Sequence, residues 1–391
     1  MKKIIALVLA ILMLIPLLCS CGTGDTVMSL GNARITTGMM TFWLSRYKAQ
    51  FLYNYGPALK SLYGLSDSTL NKVWEIQYDS EAGTTYDDLF SSYIADNAMT
   101  YLCGLYLFDK FGLKLDGDTV DEIDGVLKQY IEDYADGSKS EFNTVLAEYG
   151  FNYRTLRECY LIDAKITKLQ NYLFGQGGPE QITDDVMEKY YESHYSRMQQ
   201  ICIFINQCPE KDEKGNIVTD ENGNVKYRDM TAGENQNARA KADEALAKIR
   251  AGLDFGAATE QFNENPQSST YTNGIYLSDD SATTEDLITL NDTVKGMKIG
   301  EVKLVELEGT LHIVKKLELD KGAYKNSVNA DFFYFFDSSA GEYVGFGEYL
   351  KTPLFLEYIA KKLGEMSADV KKNEKLLDTL KLSKVNANNI F

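Results

Sequence analysis

Hydrophobic positions follow three rhythms along the chain. Residues 4–18 are uncharged and almost wholly apolar. A short strand-like stretch, 27–35, turns at Gly31-Asn32, and Thr37 then opens a run in which Met40, Trp43, Leu44, Tyr47 and Phe51 recur at helical spacing. Residues 86–111 are apolar nearly all round (Leu89, Phe90, Tyr93, Ile94, Tyr101, Leu102, Leu105, Phe108), which predicts a helix buried inside a bundle. Shorter amphipathic helices are predicted over 118–134 and 139–150. A longer one over 153–174 places Leu156, Cys159, Ile162, Ile166, Leu169 and Leu173 on one face. Residues 37–174 therefore read as an all-helical domain.

Gln176-Gly-Gly-Pro179 breaks that domain off, and Thr183 starts a linking helix to 195 with Asp184 and Asp185 in its first turn. His194 is read as a helix-end residue. From Gln199 the rhythm changes, with a buried strand at 201–205. Asn216-Ile-Val-Thr219 and Asn224-Val-Lys-Tyr227 flank Asp220-Glu-Asn-Gly223, a hairpin signal because Asn-Gly accepts the positive φ of a tight turn. Helices follow at 237–251, 255–263 and 287–297, the last with Leu290, Val294 and Met297 on one face. Strand signals lie at 274–277 and 311–317. Beyond Thr352 a long amphipathic helix carries Leu354, Phe355, Tyr358, Ile359, Leu363 and Met366.

Composition narrows the function. With 391 residues, 44% of them hydrophobic and 12% aromatic, the chain has material for two or three packed domains. Its net charge of −17 is repelled by phosphate backbones and anionic lipid, which argues against nucleic acid and a basic membrane-docking face. Cys103, Cys159, Cys202 and Cys208 contain no CxxC pair; they read as buried free thiols, with a Cys202–Cys208 bridge as the alternative. The only two histidines, His194 and His312, exclude a multi-histidine metal site, and no GxSxG elbow or phosphate-cradling loop is present. Asp220, Asn222 and Asn224 start like a calcium loop, but Val225 stands where Gly is needed and Thr231 where an acid should close it. No metal or other cofactor is expected.

The N-terminus adds an address. Lys2 and Lys3 precede the apolar run, which ends Leu18-Cys19-Ser20-Cys21. These residues resemble a bacterial lipobox, with Cys21 as the lipidated residue after removal of 1–20. The alternative, an uncleaved anchor helix, has an apolar run shorter than the roughly 20 residues a bilayer span needs. The resemblance implies an extracytoplasmic lipoprotein anchored to the cell membrane.

The order of elements over 199–318 carries a second resemblance. Ala247-Lys-Ile-Arg-Ala-Gly-Leu-Asp-Phe255, Ala257-Ala-Thr-Glu-Gln-Phe262, Asn263-Glu-Asn-Pro266, Met297-Lys-Ile-Gly-Glu-Val302 and Gly309-Thr-Leu-His-Ile-Val-Lys315 are similar to the parvulin (rotamase) domain of peptidyl-prolyl isomerases. Residues 27–53 and 149–173, with the helix after Thr352, resemble the helical chaperone region of PrsA-like and SurA-like foldases. The implied fold is α+β, in four parts. A signal peptide (1–20) precedes a helical chaperone region (21–195). An inserted parvulin-like antiparallel-sheet domain (196–320, hairpin insertion at 209–233) follows, and a C-terminal helical segment (321–391) packs back on the N-terminal region. The implied partners are unfolded or folding secreted polypeptides, and self-association as a homodimer is left open.

Against the family pattern, His312 matches the second histidine of the parvulin pair, while the first falls on Cys202 and the Cys/Asp position on Asn265. The proline pocket falls on Leu287 and Leu290, with Met297 beside them. Prolyl rotation needs an apolar pocket for the ring and polar groups that favour the twisted amide, and most of both sets are changed. The resemblance therefore implies a foldase or holdase with a degenerate isomerase site, His312 being a core histidine kept by the fold. The client contacts would be Trp43, Tyr47, Phe51, Tyr93 and Tyr101, for which helix-core packing is the plainer role. An active isomerase is the first alternative. A solute-binding lipoprotein of a transporter is the second, and would need strand–helix alternation that the first 170 residues lack.

Overall fold

The computed structural model describes residues 23–79, 81–265, 271, 273–337 and 341–391; the candidate lipidation residue Cys21 lies outside them. The chain is α+β and divides into two units, one built from residues up to Gln181 together with Lys351–Phe391, the other from Ile182–Leu350.

In the first unit a hairpin of β1 (Thr26–Leu30) and β2 (Ala33–Thr36) leads into α1 (Thr37–Tyr63). Thr36 caps α1, its hydroxyl accepting from the Met39 amide, so the helix starts one residue earlier than a Thr37 cap would place it. Gly64 ends it in the left-handed conformation, at φ +63°. Helices α2 (Tyr86–Lys110), α3 (Gly117–Ala135), α4 (Lys139–Ala147) and α5 (Tyr153–Phe174) follow. A Cβ on Gly104 of α2 would meet the Cδ1 tip of Ile166 of α5 at 2.3 Å, so a larger residue there would require the Ile166 side chain to shift.

The far end of the chain completes this unit. Helix α10 (Lys351–Met366) packs on α2 and α5, burying Phe355 and Ile359, with the Phe174 ring 6.4 Å from Phe355 and 6.3 Å from Tyr358. Lys371–Lys372 then adds a third strand to β1, pairing Met28 with Lys372. Leu382 and Phe391 enter the same apolar core as Val27, Ile35, Phe42 and Leu156.

The second unit is a four-stranded antiparallel sheet, β4 (Ile275–Ser278), β3 (Tyr195–Phe204), β6 (Thr310–Leu317) and β5 (Val302–Leu307) in that order across the sheet. Side chains alternate between its faces. Ile201, Ile203, Leu311 and Ile313 pack under α7 (Ala232–Arg250) and α8 (Phe255–Phe262). Met198, Val305 and Val314 pack under α9 (Glu285–Lys295). Helix α7 starts at 232, not 237, because Thr231 and Glu234 form a reciprocal capping box there.

Two features depart from the boundaries read in the sequence. Helix α6 (Asp184–His194) belongs to the sheet unit, not the helical one, as do residues 321–350, where a terminal helical segment was expected. The reason is an aromatic cluster: the Tyr191 ring lies 5.6 Å from Tyr324 and 5.7 Å from Phe333, and Tyr195 lies 5.7 Å from Phe346. The insertion is also more than one hairpin. Gln207–Pro209 pairs with Tyr227–Asp229, and inside that frame Lys211 bridges Ile217 and Thr219 bridges Val225. Asp212-Glu-Lys-Gly-Asn216 and Asp220-Glu-Asn-Gly-Asn224 repeat one turn, in which the Asp Oδ1 accepts amides two and four residues on, at 2.8–2.9 Å.

Candidate functional site

His312 of β6 stands directly across from Cys202 of β3, the two central strands. Strand alternation puts both on the α9 face of the sheet, together with Gln200 and Thr310. The imidazole is half-buried and both ring nitrogens are engaged: Nε2 lies 2.9 Å from the Thr310 hydroxyl and Nδ1 2.9 Å from Gln200 Oε1. Because the Gln200 oxygen accepts only, Nδ1 carries the proton and Thr310 donates to Nε2. Burial pushes the His312 pKa down to about 4 against the opposing pull of the Asp286 carboxylate, so the ring is neutral at pH 7. Burial likewise pushes the Cys202 thiol up to about 12, which makes it a poor nucleophile.

Asn263 and Glu264 cap the outer edge of β3 beyond its pairing with β4. The Cys202 amide donates to Asn263 Oδ1 at 2.9 Å, the Phe204 amide to Glu264 Oε2 at 2.8 Å, and the Glu264 amide returns a bond to the Cys202 carbonyl at 2.8 Å. Asn265 follows immediately, its carbonyl accepting from Asn263 Nδ2. Leu290 and Met297 are buried in the apolar cluster under the sheet, whereas Leu287 is exposed. A cavity of about 1060 Å³ opens beside the capped edge, between Gln200 and Phe204 of β3, Cys208 and Arg228 of the insertion and Lys241 of α7. Gln200 thus touches both the cavity and His312. Cys202 and Cys208 are both free thiols. His194 ends α6, its ring stacked 3.8 Å from Tyr190.

The helical unit gathers the five aromatic candidates along α1 and α2. Trp43 stacks on Tyr101 at 4.9 Å, and Tyr47 lies 6.2 Å from both Phe51 and Tyr93. Trp43, Tyr47 and Tyr101 line a cavity of about 1080 Å³ with Asn97, Tyr53 and residues 387–391. Phe51 is turned instead onto Trp74 and Phe90, at 5.2 and 4.9 Å. Tyr53 is 84% exposed at the rim. Beside Tyr101, burial raises the Asp163 carboxyl above the usual carboxylate range despite the nearby Arg46 and Tyr101.

Sequence reasoning missed three groups here. Gln200, two residues before Cys202 in a strand, had to share its face, and that spacing was signal enough. Tyr53 and the segment 386–391 gave none, because an exposed helix position and an irregular tail carry no periodicity.

No family model matches the chain, and no curated protein does. Solved foldase structures align along much of it: PrsA of Bacillus subtilis, 17% identical with a TM-score of 0.22 over 79% of this chain and 92% of that one; foldase protein PrsA of Streptococcus pneumoniae, 17% and 0.23 over 91% and 98%; and peptidylprolyl isomerase (PrsA) of Bacillus anthracis, 16% and 0.27 over 71% and 97%. Likeness this distant assigns no activity.

Proposed function

We propose that this protein is an extracytoplasmic holdase or foldase for secreted polypeptides, tethered to the cell membrane through Cys21, with a rotamase-like sheet unit of little isomerase activity. The observation that carries the reading is the aromatic cavity of the helical unit. Trp43, Tyr47 and Tyr101 offer wide, sequence-tolerant apolar contact, and Asn97 and Asn389 at its walls supply hydrogen-bonding groups for a polypeptide backbone. The strongly acidic surface keeps such a protein soluble beside a membrane and favours cationic segments of partners. No helix among the described residues is long and apolar enough to cross a membrane.

The weak-isomerase part rests on His312. A catalyst of prolyl rotation must stabilise the twisted amide more than the planar one. Here both imidazole nitrogens are tied to Thr310 and Gln200, and the residue opposite is a buried thiol. The test pairs two measurements on the full mature chain: suppression of aggregation of an unfolded protein, and acceleration of prolyl isomerisation in a peptide and in a slow-folding protein. Suppression with little acceleration is the expected result. Acceleration lost on His312→Ala would make the protein a working isomerase, and absence of both activities would overturn the reading.

A further inference from the structure

Residues 386–391 of the chain lie in the helical unit as a ligand lies in a site. The Phe391 ring is boxed by four aromatic rings, all nearly perpendicular to it: Phe142 at 5.3 Å, Tyr130 and Tyr134 at 5.4 Å, and Tyr149 at 6.3 Å. Edge-to-face contact on every side is the arrangement aromatic pairs prefer. One wall, Tyr134, is 43% exposed, so the box opens to water. The backbone is also held. The Asn388 amide donates to the Ser45 carbonyl at 2.9 Å, and Asn386 Nδ2 donates to the Glu148 carbonyl at 2.7 Å. Asn388 Oδ1 gathers the amides of Ile390 and Phe391, fixing the turn that points the ring inward.

Two grades of attachment follow. Residues 381–383 are fastened by charged groups: Lys381 to Asp88 at 2.9 Å, Ser383 to Asp87, and the Leu382 carbonyl to Lys48 Nζ at 2.8 Å. Residues 386–391 form neither helix nor strand, and two neutral hydrogen bonds, Asn388 N–H to Ser45 and Asn386 Nδ2 to Glu148, tie them to the rest of the unit. Apart from the boxed Phe391 ring and the buried Asn388, the segment has the sparse, irregular backbone pairing of regions that open locally.

Resting on the holdase reading above, we infer that the Tyr130–Tyr134–Phe142–Tyr149 box is a subsite for an aromatic side chain of an extended polypeptide, and that residues 386–391 are its built-in occupant. An incoming segment bearing Phe or Tyr reproduces the same contacts: ring in the box, amide to the Ser45 carbonyl. Displacement of the occupant also widens the adjoining cavity, because residues 387–391 form one of its walls. The client and residues 386–391 compete for one place.

The test uses the full chain and two probes. The first is an acetylated, amidated hexapeptide Asn-Ala-Asn-Asn-Ile-Phe, the sequence of 386–391, with a copy ending in Ala as control. Asn388→Ala, which removes the turn that points the Phe391 ring inward without touching the box, is expected to bind the hexapeptide at least tenfold more tightly than wild type and to ignore the control. Phe391→Ala, which empties the box and keeps the Asn388 bonds, should do the same, and adding Tyr134→Ala should abolish binding in either. Binding that is absent from both variants, or indifferent to the phenylalanine, overturns the subsite. The second probe is reduced, carboxymethylated α-lactalbumin, with amide exchange followed by mass spectrometry. Exchange in 386–391 should rise at least tenfold while the Leu382 amide stays protected. Suppressed aggregation with unchanged exchange in 386–391 refutes the occupant and leaves the holdase reading intact. Hexapeptide binding as expected without suppression refutes the holdase reading and leaves the subsite.

Discussion

His312 and Cys202 are cross-strand partners at the centre of the sheet, side by side on the face that α9 covers. A cross-strand pair brings side chains within about 5 Å, so an imidazole at 202 would sit beside His312. Cys202→His combined with Asn265→Asp is therefore expected to raise prolyl isomerisation several-fold above wild type in a peptide assay, and His312→Ala in that background to remove the gain. Wild-type protein that already isomerises efficiently and loses this on His312→Ala would show that the pair is not what limits the site.

The same histidine gives the sheet unit a pH dependence. Its folded pKa, about 4, lies below the 6.5 of a free imidazole. Between those values the unfolded chain binds the proton and the folded one does not, so stability is full above pH 6.5 and falls as pH drops towards 4. The difference corresponds to at most about 3 kcal/mol. Both tryptophans, Trp43 and Trp74, lie in the other unit, so amide exchange at Ile313 is the proper readout. Protection there should fall between pH 6.5 and 4.5 in wild type, and fall distinctly less in His312→Gln.

Lys48 is 4% exposed and donates at 2.8 Å to the carbonyls of both Leu382 and Val385. Burial lowers its pKa to about 8, with Asp87 acting in the opposite direction. Lys48→Met keeps the aliphatic bulk but takes the ammonium from the Val385 carbonyl and leaves the Leu382 carbonyl with the Val385 amide at 3.4 Å, and an unsatisfied buried group costs about 1–3 kcal/mol. The helical unit should be less stable by roughly that amount, as read by Trp74 fluorescence in urea. An unchanged midpoint would mean that water replaces the ammonium without loss.

Tyr53, which lines the aromatic cavity, and Tyr93, 6.2 Å from the cavity's Tyr47, are both exposed. Replacing both by Ser should move stability by no more than about 0.5 kcal/mol each, as for surface positions generally. Suppression of aggregation should nevertheless drop several-fold. Equal suppression by the double variant would place client contact elsewhere.

The proposed lipid anchor is Cys21, which follows Leu18-Cys19-Ser20 after the apolar run 4–18. Cys21→Ser should yield released protein or an unprocessed precursor in a fractionation experiment. Membrane-bound, lipidated product from that variant would show the leader to be of another kind.

What could be read from the sequence was what is decided locally. Helix α5 spans the predicted 153–174 because its apolar stripe and its Asn152 cap both lie within one segment. Strand β5 escaped notice because it is an edge strand with Leu304 facing out, and pairing with β6, not its own pattern, makes it a strand. The His312–Cys202 pairing came from the order of elements and the resemblance it carries. Thr310 and Gln200, which decide the protonation of the ring, depend on register. The tail was illegible for the same reason: the partner of Leu382 is Lys48, more than three hundred residues earlier.

That distance also sets an order of events. A chain made N-terminus first delivers α1 to α5 long before α10, Lys371–Lys372 and residues 382–391 that complete their core, whereas the sheet unit is one uninterrupted stretch. Closing so long a loop is slow while it is unfolded, and contacts this remote in sequence delay folding. The sheet unit, whose residues form one continuous stretch, can condense without waiting for the far end of the chain. A protein proposed to guard unfinished polypeptides thus spends its own synthesis as one, its first helices exposed until its last residues arrive.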